Sequence, residues 1–142
     1  MLDQIYSRLS ATGAFSAIEV AENLAVIVGR APAAEDGTLF IAPWREHAQP
    51  SINATGVHRQ HVSVQFVTAI LFRRYDDPRG GERARAFEAA KGTVEQALVG
   101  WIPDGAFDVV SLVGAEASSL GNGVSIYAQT WQTSRFLTGA LT

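Results

Sequence analysis

Residues 62–75 read VSVQFVTAILFRRY, the most regular stretch in this chain of 142 residues. One alternating set of positions is apolar apart from a single threonine: Val62, Val64, Phe66, Thr68, Ile70 and Phe72. Successive side chains of a strand point to opposite faces, so this period of two predicts a long β-strand. The other set also becomes apolar from Val67 to Leu71, which indicates that the far half of the strand is covered on both faces. We therefore expect a central strand.

Amphipathic helices are predicted on both sides of this strand along the chain. Near the N-terminus, helical spacing relates Leu2, Ile5, Tyr6 and Leu9, and Gly13 can take the left-handed conformation that ends a helix. A second helix opens at Glu82, and Gly100 and Pro103 end it. Its apolar face is traced by Ala84, Phe87, Ala90 or Lys91, Val94, Ala97, Leu98 and Trp101, the last of which we expect in the core. Gly92, which costs up to about 1 kcal/mol in mid-helix, is expected to mark close packing against the sheet.

The remaining segments predict shorter elements. Phe15, Ile18 and Val20 indicate a short strand, and residues 20–28 fit either a helix or a strand, with helix favoured. Further along, the sequence predicts turns at 31–37 and 76–81 and a long loop at 47–57. It also predicts a strand at 38–44, with Pro43 at a sheet edge, and two strands at 109–113 and 123–136 that are joined by a hairpin at 121–123. The order α–β–α–β–β–α–β–β predicts a single α+β domain over 1–142, with a mostly antiparallel or mixed sheet and helices packed on one face.

Composition narrows the classes of function. The chain is 47% hydrophobic and 18% charged, which is typical of a globular protein, and its net charge of −3 argues against direct nucleic-acid readout. It has no cysteine, which removes disulfides and thiolate chemistry. An acidic N-terminus without an apolar segment and a longest apolar run of only 66–72 predict no signal peptide and no membrane span, so we expect a protein made in the cytoplasm.

No catalytic or metal-binding pattern is apparent. His58 and His61 lie three residues apart at a strand start, where side chains point to opposite faces, so no metal site is expected there or at His47. Asp76 and Asp77 precede Pro78 and are typical turn residues. The glycines lack the spacing of a phosphate-binding loop. We expect no catalytic residue and no cofactor.

Charged and aromatic residues leave two questions open. The arginines at 73, 74, 79, 83 and 85 are interleaved with acidic residues, which favours a mixed-charge rim, solvated or in a protein–protein contact, over a nucleic-acid site. Trp44 and Trp131 could each be a core residue or an interface anchor.

Residues 38–136 resemble the tail-terminator or tail-completion proteins of bacteriophages, which are also called minor tail proteins. The resemblance rests on Arg73-Arg74-Tyr75-Asp76-Asp77 before Gly80-Gly81, on the Ala-Leu-x-Gly-Trp-x-Pro run from Ala97 to Pro103, and on Gln129-x-x-x-Thr133 in the last strand. Gly114-Ala115-Glu116 departs from the glycine-rich strand usual in the family, and the first 37 residues match mainly in helix placement.

The resemblance implies a structural virion protein at the head-proximal end of the tail, assembled in the host cytoplasm. Such a subunit forms a homo-oligomeric ring, typically hexameric. The ring caps the tube made by the major tail tube protein, stops its polymerisation and offers a surface to the head-completion or neck protein.

The residues we expect at assembly interfaces are Trp44, Arg45, His58, Arg73, Arg74, Asp76, Asp77 and Arg79, with 47–57 and 76–81 as contact regions. Two alternatives stay open. One is a head–tail connector or neck-completion subunit. The other, less favoured, is a small ligand-binding module or an enzyme, which would need a pocket with converging polar groups.

Overall fold

The computed structural model describes residues 1–51, 58–73, 81–121 and 123–139, with the backbone alone at 81–84 and 86. The described elements are α1 (Leu2–Ser10), β1 (Ala17–Val20), α2 (Leu24–Arg30), β2 (Thr38–Ala48), β3 (His58–Arg73), α3 (Gly81–Leu98), β4 (Ser111–Gly121) and β5 (Val124–Gly139), with a 3-10 turn at Ala31–Ala33. Their order is the predicted one, and the predicted α+β class is confirmed.

One mixed sheet of five strands organises the molecule, in the order β1-β2-β3-β5-β4. β1 pairs with β2 in parallel, and the other pairs are antiparallel. The predicted central position of β3 is confirmed, since it lies between β2 and β5. It begins at His58 instead of Val62 because residues 58–61 pair with 136–139 of β5. This contact is long-range, and residues 58–61 show no apolar alternation that would predict it.

Each side of the sheet has its own apolar core. On one side, which we call the helix face, Ile5 and Leu9 of α1 and Val94 and Leu98 of α3 are buried against the sheet, together with Leu39, Ile41, Phe66, Ile70, Val110 and Trp131. On the other side, the open face, α2 buries Ile27 among Phe40, Ala42, Ala69, Leu71, Val124 and Ile126. The two long helices thus share one face as expected, whereas the short α2 lies on the opposite face.

Packing on the helix face explains why one residue in the apolar alternating set of β3 is polar. Thr68 is fully buried, and its Oγ1 accepts a hydrogen bond of 2.9 Å from Nε1 of the buried Trp131. Trp131 is therefore a core residue, as a buried indole N–H requires a partner. Trp101 is only partly buried beside this core, with the Arg8 guanidinium 4.7 Å from its ring centroid.

Several predicted details are wrong. A Cβ at Gly92 would meet nothing within 4 Å, so this glycine marks no close packing. The strand predicted at 109–113 is β4, which runs from Ser111 to Gly121, because pairing with β5 continues through small and polar residues that carry no apolar period. The strand predicted at 38–44 reaches Ala48, so the loop predicted at 47–57 starts later, and residues 52–57 lie outside the described residues.

Other details are confirmed. β1 pairs with Thr38–Ile41 alone, so Pro43 lies at a sheet edge, opposite Phe66. Gly121 and Gly123, at the hairpin between β4 and β5, have φ of 85° and 73°. The turn predicted at 76–81 falls almost wholly in residues 74–80, outside the described residues. Within the described parts of the chain, no helix combines the length and the apolar character that a membrane span requires.

Candidate assembly surfaces

The first candidate surface is the outer margin of β4, here called the β4 edge (Ser111–Gly121). It bonds to β5 on one side, and no strand among the described residues pairs with the other. Every residue from Ser111 to Ala117 is exposed. An edge strand presents unpaired N–H and C=O groups, and proteins usually protect such edges with proline or lysine. The β4 edge has neither, but register shifts between Leu112 and Gly114 and between Ser119 and Gly121 interrupt it, so the regular stretch 114–119 is the part available as a template for pairing.

Exposed apolar residues are concentrated in the segment that leads into the β4 edge, and we call these residues the apolar strip. Six of the eleven exposed large hydrophobic residues in the described chain fall between residues 99 and 113: Val99, Ile102, Phe107, Val109, Leu112 and Val113. Two hydrogen bonds fix this segment to the body of the protein, from Phe107 N to Ser134 O and from Val110 N to Trp101 O, both 2.7 Å. The side chains are therefore held outward by an anchored backbone, which is typical of a binding surface.

The second candidate surface lies on the opposite margin of the sheet, the β2 edge (Pro43–Ala48). All six of its residues are exposed, whereas the first five residues of β2 are buried. The register shifts between Pro43 and Arg45, so Trp44 is an extra residue in the strand. Trp44 is 45% exposed, and the Arg45 guanidinium lies 5.4 Å from its ring centroid. An exposed tryptophan stacked with arginine has the composition of an interface anchor.

A shallow groove of about 460 Å³ crosses the open face between these two margins. Trp44 and Arg45 line one end of it, and Val113 and Glu116 line the other. Three strand spacings separate the two ends, about 14 Å. Neither Arg45 nor Glu116 has an ion pair within the described part of the chain. The groove thus has a positive rim and a negative rim, each on a different edge strand.

A polar cluster near the apolar strip combines a serine, an aspartate and a histidine without forming a catalytic triad. Ser134 Oγ donates to Asp108 Oδ2 at 2.5 Å, and His61 Nε2 lies 3.7 Å from the same oxygen. In a triad the histidine accepts the serine proton, while the aspartate bonds the other ring nitrogen. Here the serine bonds the aspartate and has no base. The cluster instead ties residue 108 to β3 and β5, below the apolar strip.

The described residues contain no group of three or more histidine, aspartate or glutamate side chains placed to hold a metal ion. His58, one of the histidines considered above, has its Nε2 2.6 Å from Gln60 Oε1.

Of the predicted interface residues, the structure describes Trp44, Arg45, His58 and Arg73, and it brings only Trp44 and Arg45 together. His58 and Arg73 lie at opposite ends of β3, fifteen residue steps or about 50 Å apart. Arg74, Asp76, Asp77 and Arg79 belong to residues 74–80, outside the described residues. Assignment of all eight to an interface stays a prediction.

Arg73 has an internal role that the sequence did not reveal. Its guanidinium donates to the carbonyl oxygens of Pro32 and Ala34, at 2.5 Å and 2.8 Å, and its backbone N donates to Asp36 Oδ1 at 2.9 Å. These contacts hold the end of β3 to the turn after α2. They join residues about forty positions apart, so no local pattern could have indicated them.

The β4 edge and the apolar strip were also missed from the sequence. The available signal was the group of apolar residues at 107–113, which lies among Gly, Pro and Asp and follows neither a helical nor a strand period. The sequence predicted a strand at 109–113, but only the structure shows that the backbone of this segment is anchored and that its apolar side chains are exposed.

Exposed sheet edges and exposed apolar side chains on an anchored backbone are typical of proteins that bind other proteins. The chain belongs to the phage tail terminator protein family, whose family model matches residues 2–139. It is therefore a structural protein of the phage tail, and the resemblance found in the sequence is confirmed.

Solved structures agree at the level of the fold. A chain in the "Virion of native gene transfer agent (GTA) particle" is similar over 96% of this chain and 93% of that chain, with a TM-score of 0.56 and 15% sequence identity. No curated protein matches the chain.

Proposed function

We propose that this protein is the subunit of a closed ring, hexameric in the simplest case, that caps the finished tail tube at its head-proximal end. The ring stops further addition of the major tail tube protein and gives the head-completion protein a surface to join. Assembly takes place in the host cytoplasm. The observation that carries this proposal is membership of the tail terminator family over residues 2–139.

The surfaces of the subunit support a ring. A ring of identical subunits in head-to-tail contact needs two different, complementary surfaces on each copy. The β4 edge with its apolar strip and the β2 edge with Trp44 lie on opposite margins of one sheet. This arrangement suits repeated addition of copies around an axis until the ring closes.

Termination needs shape and no chemical step. A ring whose lower side fits the end of the tube, and whose upper side lacks the onward-facing surface of the tube protein, blocks the next layer by occupying its place. We accordingly propose no substrate, no cofactor and no membrane partner.

The decisive experiment deletes the gene in the phage and measures tail lengths by negative-stain electron microscopy. We expect abnormally long tails without heads, and normal lengths after complementation by the wild-type protein. Tails of normal length in the deletion strain would contradict the proposal. Gold labelling of a tagged protein separates the alternatives, because a neck-completion subunit would be placed at the connector instead of at the tube end.

The ring itself is tested on the purified protein. Light scattering coupled to size exclusion should give about six times the subunit mass of 15.2 kDa, and image averages should show sixfold symmetry. If the protein forms rings only on tubes, averages of isolated tails should show the same symmetry at one tip.

A further inference from the structure

We propose that the ring closes by edge-to-edge strand pairing, in which the β4 edge of one subunit joins the β2 edge of the next and Glu116 of one copy faces Arg45 of its neighbour. The occupant of each edge is therefore a second copy of this chain. The inference rests on the proposed function, and it adds the surfaces and the residue pair that join the copies.

The directions of the strands permit this pairing. β2 and β4 each run antiparallel to their inner neighbours, β3 and β5, and those two are antiparallel to each other. β2 and β4 of one subunit are consequently antiparallel. Two copies related by a modest rotation would bring the β4 edge and the β2 edge together as antiparallel strands, the arrangement in which strand addition forms regular backbone hydrogen bonds.

The exposed parts of the two strands match in extent. β1 covers β2 only as far as Ile41, and the six residues that follow Ala42 are all exposed. On the other margin, seven consecutive residues of β4 are exposed. Pro43 cannot donate a backbone hydrogen bond, so we expect the pairing to begin at Arg45.

Charge complementarity selects the residue pair. Arg45 and Glu116 both line the groove, so both project from the open face of the sheet. Within one subunit three strand spacings, about 14 Å, separate the strands that carry them. Arg45 lies opposite Gln65 and Glu116 lies at the level of Ala69, four residues further along β3, so the two charges are too far apart for an ion pair. Joined edges would make them cross-strand neighbours of opposite sign, an arrangement that stabilises strand pairs.

Apolar contact at the same boundary favours this pairing over an isologous one. Trp44 and Val113 lie next to the charged pair at the two ends of the groove, and both are about half exposed. In the proposed register Trp44 lies near Ala117 of the neighbouring copy and Val113 lies near Ala48, so the contact covers both apolar side chains. A symmetric pairing of two β4 edges would instead give Glu116 no partner of opposite charge, since β4 contains no basic residue, and would leave Trp44 uncovered.

Cysteine cross-linking tests the pairing cleanly, because the chain has no cysteine of its own. The double variant Arg45→Cys with Glu116→Cys cannot close a disulfide within one subunit, since disulfides need Cα atoms within about 7 Å. Oxidised alone or on assembled tails, it should give a ladder of covalent oligomers up to ring size on a non-reducing gel. Each single variant should remain monomeric.

The matched control joins Arg45→Cys to Glu88→Cys, an exposed position on α3 away from both edges, and should give no ladder. Dimers of Glu116→Cys alone would show an isologous β4 contact and overturn the inference. Absence of a ladder from rings or capped tails would also overturn it.

Charge exchange gives an independent readout. Arg45→Glu and Glu116→Arg should each weaken the contact between neighbouring copies by about three- to tenfold in dissociation constant, because each places like charges opposite each other. The two changes in one chain should restore it. Single variants that assemble like the wild type would contradict the pair.

The tail-length assay separates the two proposals. Long tails in the deletion strain together with a negative cross-linking result would contradict the edge pairing and support the capping function. Normal tails would sink the capping function itself.

Discussion

At the scale of single residues, the buried polar groups hold the fold together. Thr68 accepts the indole N–H of Trp131, Thr133 Oγ1 donates to Asp108 O at 2.6 Å, and Gln129 Nε2 donates to Glu95 Oε1 at 3.4 Å. Gln129 and Thr133 are two residues that carry the family resemblance, and both are buried. The motif in the last strand is therefore a packing motif.

The hydrogen bond between Thr68 and Trp131 gives a prediction at this scale. Thr68→Val keeps the shape of the side chain but leaves the buried indole N–H without an acceptor, which should lower the free energy of unfolding by about 1–3 kcal/mol. Urea denaturation followed by tryptophan fluorescence measures the loss.

Thr130→Val is the matched control for that experiment. Thr130 lines the open groove one residue away from Trp131, and we expect a change within about 0.5 kcal/mol. Equal losses in the two variants would show that the bond between Thr68 and Trp131 has no special role.

At the scale of elements, the sequence predicted what local patterns encode. Alternation identified β3, helical spacing identified α1 and α3, and paired glycines identified the hairpin between β4 and β5. Full strand lengths could not be predicted, because residues 58–61 and 114–121 are ordered as strands by pairing with β5 and not by their own apolar period. The position of α2 on the open face likewise depends on long-range packing.

The free space around Gly92 gives a prediction for the stability of α3. A Cβ at this position meets nothing within 4 Å, and the residue lies inside the helix. Gly92→Ala should therefore raise the free energy of unfolding by about 0.5–1 kcal/mol, since alanine loses less backbone entropy on folding. Thermal unfolding followed by circular dichroism measures the gain.

The comparison variant is Gly121→Ala, which also meets no atom but has φ of 85°. It should lower stability because an L-residue is strained in that conformation. A loss at position 92 would mean that α3 needs the glycine for a contact outside the described residues.

At the scale of the whole molecule, the surfaces were only partly predictable. Trp44 and Arg45 were identified from their place beside Pro43, and the structure puts them on a free edge. The β4 edge and the apolar strip were not identified from the sequence. Their exposure depends on which strand lies at the edge of the sheet, and the sequence alone does not give the order of the strands across the sheet. Arg73, by contrast, looked like a surface charge and holds the turn after α2.

At this scale we predict that a single surface substitution can abolish assembly and leave the stability of the subunit unchanged. Val113→Glu puts a charge on a residue that is 53% exposed, so the subunit should unfold within about 0.5 kcal/mol of the wild type. Burial of the same charge in an apolar contact is costly, so rings should be lost and tails should lengthen. Light scattering and tail-length measurement report the two effects.

Tyr6→Glu provides the control, because Tyr6 is similarly exposed but lies on α1, on the helix face and outside the groove that contains Trp44 and Val113. It should form rings and terminate tails normally. Loss of assembly in both variants would point to general aggregation and would count against a specific role for Val113.

The pairing of β3 with β5 has a mechanical consequence. Sixteen residues of each strand lie side by side, so a pull along the strands must break many hydrogen bonds together. β4, which pairs on one side only among the described residues, can be peeled away from its end one bond at a time. In a ring of the proposed kind, β4 would therefore absorb small misfits between neighbouring copies, while the paired β3 and β5 keep their shape.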